Sequence, residues 1–149
     1  MTWGIIQNDS EGVGTWVCDR LGTYWYEGAG EAIGFTFAGK MAAGCIYTDF
    51  NGSNIRMGFA LEDRRFMNRS TLWAAFAYPF LQLGCRRVTA IVDCANFASL
   101  AFVEHLGFAY EATFEDAAPN GDHQIVFRML ASECKWIRNN RFIAKKRTA

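Results

Sequence analysis

Hydrophobic and polar residues alternate most regularly between positions 55 and 61, which predicts a half-buried strand. The apolar side chains occupy every second position and share one face: Ile55, Met57, Phe59 and Leu61. Gly58 and Ala60 lie between them and leave the second face shallow. A flat group could therefore approach the backbone on that face.

Further strands and turns surround this segment. Strands are predicted at Ala32–Phe37, Met41–Asp49, residues 86–93, Phe108–Phe114 and Gln124–Leu130. Asn51-Gly52 and Asn120-Gly121 are strong signals for the turns between paired strands. The β-branched run at 86–93 is typical of a buried strand that lies parallel to its neighbour.

Helices are predicted where apolar residues follow a capping residue. They cover residues 8–21, 69–83, 97–106 and Glu133–Arg138. Asn96 and Gly107 cap the two ends of the third helix. Pro79 is expected to kink the second helix or to end its regular part.

The order of these elements defines the fold class. A helix and a three-stranded meander come first, and a helix, a strand, a helix and a hairpin follow. This order predicts an α+β fold with a mixed, mostly antiparallel sheet flanked by helices. We expect one domain over residues 1–138, followed by a basic tail at 139–149.

The composition excludes several classes of protein. The 149 residues carry no net charge and include five cysteines and two histidines. No CxxC pair occurs, so neither a zinc site nor a disulfide framework is expected, and most thiols should be small buried groups. The thiols fit a reducing cytoplasm. Neither a signal peptide nor a membrane span is apparent.

Positive charge is concentrated at the end of the sequence. Six cations occupy the last fifteen positions without a carboxylate among them: Lys135, Arg138, Arg141, Lys145, Lys146 and Arg147. This tail is either a solvated segment or a contact to phosphate groups or an acidic partner. Nucleic acid is therefore a possible partner.

The stretch GCRRVTAIVDCANFASLAFVEHLGF, residues 84–108, resembles the second half of the GNAT (Gcn5-related N-acetyltransferase) core. Asn96, Ser99 and the sequence Leu106-Gly107-Phe108 are closest to the branch that acetylates ribosomal-protein N-termini, and Glu111 fits its next strand. The resemblance covers about residues 32–136, and small phage-encoded acyltransferases are also similar. It implies an acyl-CoA-dependent N-acyltransferase that uses acetyl-CoA and an amine acceptor, as a monomer or a homodimer.

The resemblance also implies where acetyl-CoA would bind. Asn96 and Phe102 would contact the pantetheine arm, and a backbone N–H near Leu61 would stabilise the oxyanion. The pyrophosphate would lie at the helix start formed by Asn68, Arg69, Ser70 and Thr71. The family's phosphate loop is rich in glycine, whereas residues 64–73 contain none. A wider pocket or weaker binding is therefore expected.

Candidates for proton transfer follow from the same comparison. Many family members place a tyrosine seven residues after the helix asparagine, where this chain has Val103. Ser99 is the alternative acid that protonates the leaving thiolate, although a serine here could also serve only the helix backbone. Glu62 is the candidate general base, and its other interpretation is a solvated turn residue.

The acceptor side of the site is less well defined by the sequence. The aromatic run Tyr24, Trp25 and Tyr26 is bounded by glycines and is either a mobile wall of the site or part of the core. His123 follows the Asn120-Gly121 turn and either lines the acceptor groove or lies on the surface.

Two further functions remain open at the level of the sequence. One is a nucleic-acid base modifier similar to the phage Mom-type enzymes, for which the aromatic run and the basic tail would be suited. The other is a non-catalytic binding domain with the same fold, since the glycines and the tyrosine are missing.

Overall fold

The computed structural model describes residues 2–138, which form seven strands and four helices around one sheet. The elements are β1 (Trp3–Ile6), α1 (Ser10–Leu21), β2 (Gly30–Phe37), β3 (Lys40–Thr48), β4 (Asn54–Leu61), α2 (Arg69–Ala77), β5 (Arg87–Asp93), α3 (Phe97–Leu106), β6 (Ala109–Phe114), β7 (Gln124–Leu130) and α4 (Lys135–Arg138). Short 3-10 turns lie at Arg64–Phe66 and Ala131–Glu133, and a π-helical turn spans Tyr78–Gln82.

The strand order is β1-β2-β3-β4-β5-β7-β6. Only β4 and β5 are parallel, and every other pair of neighbours is antiparallel. The parallel ladder covers Asn54–Arg56 against Arg87–Thr89 and then stops, although both strands continue. The two strands therefore diverge, and they leave an opening in the middle of the sheet.

Helices cover both faces of the sheet and create two apolar clusters. Helix α1 packs over β2, β3 and β4, where Val13 and Val17 bury against Ala32 and Ala60. The larger cluster lies on the other face and joins α2, α3 and α4 to the sheet. Its strand members include Ile55 and Met57, so the alternation in β4 assigns its side chains to the two faces as predicted.

Local signals set the helix boundaries. Asp9 accepts a hydrogen bond from the N–H of Gly12 and caps α1, and Asn96 accepts one from the N–H of Ser99 and caps α3. Gly22 and Gly107 end these helices in the left-handed conformation that glycine adopts without a steric penalty. The predicted boundaries of α3 are therefore confirmed.

Helix α2 shows how Pro79 ends a regular helix. Pro79 has no N–H, so the Ala75 carbonyl four residues earlier loses its helical donor. The buried Tyr47 hydroxyl on β3 replaces this donor, with an oxygen–oxygen distance of 2.6 Å. The chain then continues as the π-helical turn, which ends at Gln82 and is capped by Leu83, and Gly84 follows in the left-handed conformation.

The structure differs from the sequence prediction in a few places. Strand β1 was not predicted, because a short edge strand has no local turn signal and depends on pairing with β2. The final helix is shorter than expected, since Ala131–Glu133 forms a 3-10 turn ahead of α4. The predicted basic tail at 139–149 lies outside the described residues. Within residues 2–138, every helix is too short or too polar to cross a bilayer.

Candidate active site

A cleft of about 270 Å³ lies where β4 and β5 diverge. Residues from both faces of the sheet line it, because the missing ladder lets the cleft extend through the sheet. Its volume lies just below the usual range for ligand pockets, which is about 300–1,000 Å³. It can therefore hold a reactive group and the atoms next to it.

The α3 side of the cleft combines apolar walls with two polar residues. Phe59 on β4 and Phe102 on α3 meet edge to face, with ring centroids 5.5 Å apart. Asn96 and Ser99 lie at the start of α3, where the Asn96 amide oxygen accepts the Ser99 N–H at 3.2 Å. The Ser99 hydroxyl has no hydrogen-bond partner among residues 2–138. Val103 also lines this side and provides no proton.

The α1 side of the cleft carries opposite charges. Asp93 ends β5, and its Oδ1 accepts a hydrogen bond of 3.0 Å from the Gln124 amide on β7. Arg56 on β4 lines the same side, as does Thr23 after α1. Of the carboxylates in the described chain, Asp93 is the one that lines this cleft.

The start of α2 is built differently from a glycine loop. Asn68 caps the helix by accepting the Thr71 N–H, and its own amide donates to the Arg65 carbonyl at 2.7 Å. The buried Thr71 hydroxyl donates to the Phe66 carbonyl. The loop is held by Phe66, which is 1% exposed and packs on Phe35 at 4.9 Å.

These contacts leave two groups free for a ligand. The backbone N–H groups of Arg69 and Ser70 have no partner among residues 2–138, and both side chains are exposed. Free N–H groups in the first turn of a helix, together with its dipole, attract anions. Arg69 adds a positive charge at the same point.

Comparisons with known proteins support the fold. No protein-family model matches the chain, and no curated protein sequence matches it. Among solved structures, a point mutant of the spermidine N-acetyltransferase from Vibrio cholerae matches with a TM-score of 0.71 and 13% identity, over 94% of this chain and 98% of the other. The ribosomal-protein-S18-alanine N-acetyltransferase from Escherichia coli matches with a TM-score of 0.61 and 18% identity, over 95% and 100%.

A third structure names the family. It is an acetyltransferase of the GNAT family from Bacillus anthracis, with a TM-score of 0.56 and 17% identity, over 68% of this chain and 67% of that one. The chain has the GNAT acetyltransferase fold. The resemblance stated for residues 32–136 is thereby confirmed for the architecture.

Two parts of this GNAT fold carry groups that could contact an acyl-CoA, namely the cleft and the start of α2. The apolar residues Phe59 and Phe102 suit a pantetheine arm, and the free N–H groups of Arg69 and Ser70 suit a pyrophosphate. Asn68 and Thr71 were also predicted to contact phosphate, but their side chains are engaged within the loop. Leu61 lies one pleat beyond the β4 residues that line the cleft.

Glu62, the predicted base, lies outside the cleft in this GNAT fold. Its carboxylate forms an ion pair with Arg20 of α1 at 2.6 Å, and the Arg20 guanidinium also lies 3.7 Å from the Trp16 ring centroid. The neighbouring Asp63 is bound by Arg65, whose side-chain hydrogen bond holds the pKa of the Asp63 carboxyl below its usual value. Glu62 therefore connects the turn after β4 to α1, and Asp63 bonds within that turn.

The aromatic run is divided between two environments. Trp25 packs against α1, donates a hydrogen bond to Glu11 at 2.7 Å, and covers Gly14 so closely that a Cβ there would lie 2.3 Å from the ring. Tyr24 and Tyr26 are 92% and 69% exposed. The parts of this loop that line the cleft are Gly22 and Thr23, so Trp25 anchors the loop rather than contacting the cleft.

His123 also has a local role. Its Nδ1 accepts the Asp116 N–H at 3.0 Å, and its carbonyl accepts the Cys94 N–H at 2.9 Å. The side chain is half exposed and lies outside the cleft lining. The next residue, Gln124, is the one that reaches the cleft.

Sequence reasoning missed Asp93, Gln124 and Arg56. A signal existed for Asp93, because it ends the buried β-branched strand, and ligands in α/β sheets bind beyond the carboxyl ends of parallel strands. The other two residues give no local signal. Pairing of β5 with β7 places Gln124 beside Asp93, and pairing of β5 with β4 brings Arg56 to the same cleft.

Proposed function

We propose that this chain is an acyl-CoA-dependent N-acyltransferase that transfers an acetyl group to an amine. The observation that carries the proposal is the cleft through the sheet, with Asn96 and Ser99 on one side and Asp93 on the other. An acyl donor and an amine can thus approach the same point from opposite faces. Holding two reactants together in this way provides much of the rate enhancement of a group-transfer reaction.

Acetyl-CoA, when bound, supplies a thioester that an amine can attack. Phe59 and Phe102 would exclude water from the arm that carries it, and Asn96 would orient that arm. Ser99 would hold a proton near the departing sulfur, because its hydroxyl has no partner among residues 2–138 and Val103 has no proton to give. Asp93 replaces Glu62 as the proposed base, since Glu62 is paired with Arg20 outside the cleft.

The nucleic-acid interpretation has less support. It depended on the aromatic run, in which Trp25 is docked against α1, and on a basic tail that lies outside the described residues. The non-catalytic interpretation depended on the missing glycines and tyrosine. A loop held by Phe66 with two free N–H groups, together with an open cleft, favours binding of an acyl-CoA instead.

A direct experiment tests the proposal. The full chain is titrated with acetyl-CoA by calorimetry and is then incubated with acetyl-CoA and a panel of primary amines, including peptides, amino acids and polyamines. We expect saturable binding, release of free CoA thiol, and a mass increase of one acetyl group on at least one acceptor. Absence of binding to any acyl-CoA by the folded protein would establish the non-catalytic alternative.

A further inference from the structure

Two opposite charges in the cleft have no charged partner. Arg56 forms no ion pair or hydrogen bond with residues 2–138, whereas Arg87 and Arg128 on neighbouring strands pair with Glu111 and Glu133. Among the residues that the structure describes, the Asp93 carboxylate has the neutral amide of Gln124 as its one side-chain partner, on Oδ1. Arg56 is exposed and Asp93 is half-buried, so a ligand in the cleft that carries the two complementary charges can reach both.

Arg56 and Asp93 lie on the same face of the sheet. Val88 and Val92 on β5 bury in the main core, which leaves Thr89 and Asp93 on the opposite face. Arg56 is paired in register with Thr89 and shares that face. Asp93 lies four residues beyond Thr89 on β5, which corresponds to about 13 Å along the strand. This separation explains why they form no ion pair with each other.

We infer that the acceptor is a primary amine that carries an anionic group several bonds away. Asp93 holds the ammonium group and Arg56 holds the anion. Four residues of strand between the two positions favour a ligand whose two charges lie several bonds apart over one with adjacent charges, such as a simple α-amino acid. A polyamine would bring a second positive charge close to Arg56, which disfavours it. This inference rests on the proposed N-acyltransferase function.

The proton balance is consistent with this arrangement. The acceptor ammonium loses one proton to the Asp93 carboxylate, which passes it to solvent. The amine nitrogen then forms a bond to the thioester carbonyl carbon, and the carbon–sulfur bond breaks. The nitrogen loses a second proton, and the departing sulfur gains one. The products are an amide, a thiol and one released proton.

A matched series of amines tests the inference. Pentylamine, δ-aminovalerate and cadaverine have similar chains and differ in the far group, which is neutral, anionic or cationic. We expect kcat/KM for δ-aminovalerate to exceed that for cadaverine by at least about tenfold. Short peptides with aspartate, alanine or lysine in the second position show whether the anionic group belongs to a peptide or a small molecule.

Two variants, each with a control, test the roles of Arg56 and Asp93. Arg56→Glu should reverse the preference toward cadaverine, while Arg86→Glu, at an exposed position outside the cleft, should leave it unchanged. Asp93→Asn keeps the hydrogen bond to Gln124 but should lower kcat/KM for all three amines by about 10²-fold or more. Asp19→Asn on the surface of α1 is its control.

The outcomes separate this inference from the proposed function. If no amine in the series or among the peptides is acetylated, the N-acyltransferase function is refuted, and the acceptor inference with it. If amines are acetylated with equal efficiency, or if cadaverine is preferred by the unmodified protein, only the acceptor inference is overturned. An Arg56→Glu variant with unchanged preference would also overturn it.

Discussion

The hydroxyl of Ser99 is a small group with two competing roles. As a helix serine it could bond to a carbonyl one turn earlier, yet in the structure its hydroxyl has no partner among residues 2–138. It lies in the first turn of α3 and lines the cleft beside Asn96. A hydroxyl with no partner among residues 2–138 is available to a ligand.

Ser99→Ala should therefore lower turnover while acetyl-CoA affinity is retained. Positioned proton transfer contributes about 10²–10⁴-fold, and losing it affects the transition state more than the bound ground state. Steady-state kinetics with an acceptor from the amine panel and calorimetry measure the two quantities. Ser53→Ala, at an exposed turn, is the matched control. Full activity in Ser99→Ala would leave water as the remaining acid.

Tyr47 is a second residue whose importance depends on one atom. Its ring is 1% exposed, and burial raises the pKa of its hydroxyl well above the usual value, so it remains a neutral donor. That donor satisfies the Ala75 carbonyl that Pro79 leaves without an N–H.

Tyr47→Phe should destabilise the protein by about 1–3 kcal/mol, because it leaves a buried carbonyl unpaired. Urea unfolding followed by circular dichroism measures the change in the free energy of unfolding. Tyr110→Phe removes a hydroxyl from an exposed residue and should have little effect. Equal stability of the two variants would show that the α2 carbonyl finds another donor.

At the scale of elements, the two ends of α2 are stabilised by different contacts. Tyr47 stabilises its C-terminal end, and the loop at its N-terminal end is held by Asn68, Thr71 and the buried Phe66. Side-chain hydrogen bonds thus fix the conformation of this loop, which contains no glycine. Two free N–H groups and Arg69 remain at the surface for an anion.

Arg69→Glu places a negative charge at this helix start and should weaken acetyl-CoA binding by at least about tenfold, which corresponds to roughly 1.4 kcal/mol. Isothermal titration calorimetry measures the affinity, and thermal unfolding confirms the fold. Arg86→Glu makes the same charge change at an exposed position that follows the opposite end of this helical segment, and it should bind normally. Unchanged affinity in Arg69→Glu would exclude this loop as the phosphate site.

At the scale of the whole molecule, the sheet is divided by the cleft and joined at one end. A polar network closes the end where β4 and β5 still pair: Asn54 accepts hydrogen bonds from Arg87 and Thr89, and Arg87 reaches Glu111 on β6 at 2.7 Å. The ion pair passes over β7, which lies between β5 and β6. The network therefore ties strands from both sides of the cleft together.

This ion pair should make stability depend on pH. The hydrogen bond from Arg87 lowers the pKa of the folded Glu111 carboxyl, so its contribution is complete above the unfolded value of about 4.3 and is lost as pH falls through the lower folded value. Glu111→Gln should flatten this acid-side decline by a few tenths of a kcal/mol, since the pair is partly exposed.

Urea unfolding between about pH 5 and pH 3 measures that slope, in the range where a carboxyl of ordinary pKa titrates. Glu115→Gln, at an exposed position with no ion pair among residues 2–138, is the control and should retain the slope of the unmodified protein. A Glu111→Gln variant with the same slope as this control would show that the pair contributes nothing to stability.

The sequence by itself determined those elements whose signals are local. Asn96 and Gly107 define α3 at both ends, Pro79 ends α2, and the alternation at 55–61 assigns the faces of β4. Each signal acts within a few residues, since caps, turns and strand periodicity depend on neighbouring backbone groups. The order of these elements was sufficient for the fold class.

Tertiary structure alone decided the edge strand β1 and the chemistry of the cleft. Strand β1 depends on its pairing with β2, and the cleft exists because the β4–β5 ladder stops after Arg56. Asp93 and Gln124 meet through pairing of strands that are far apart in the sequence. Glu62 and Trp25 lie outside the cleft, where Glu62 pairs with Arg20 of α1 and Trp25 donates a hydrogen bond to Glu11 of α1. No local pattern encodes such contacts, because each depends on how separate elements pack together.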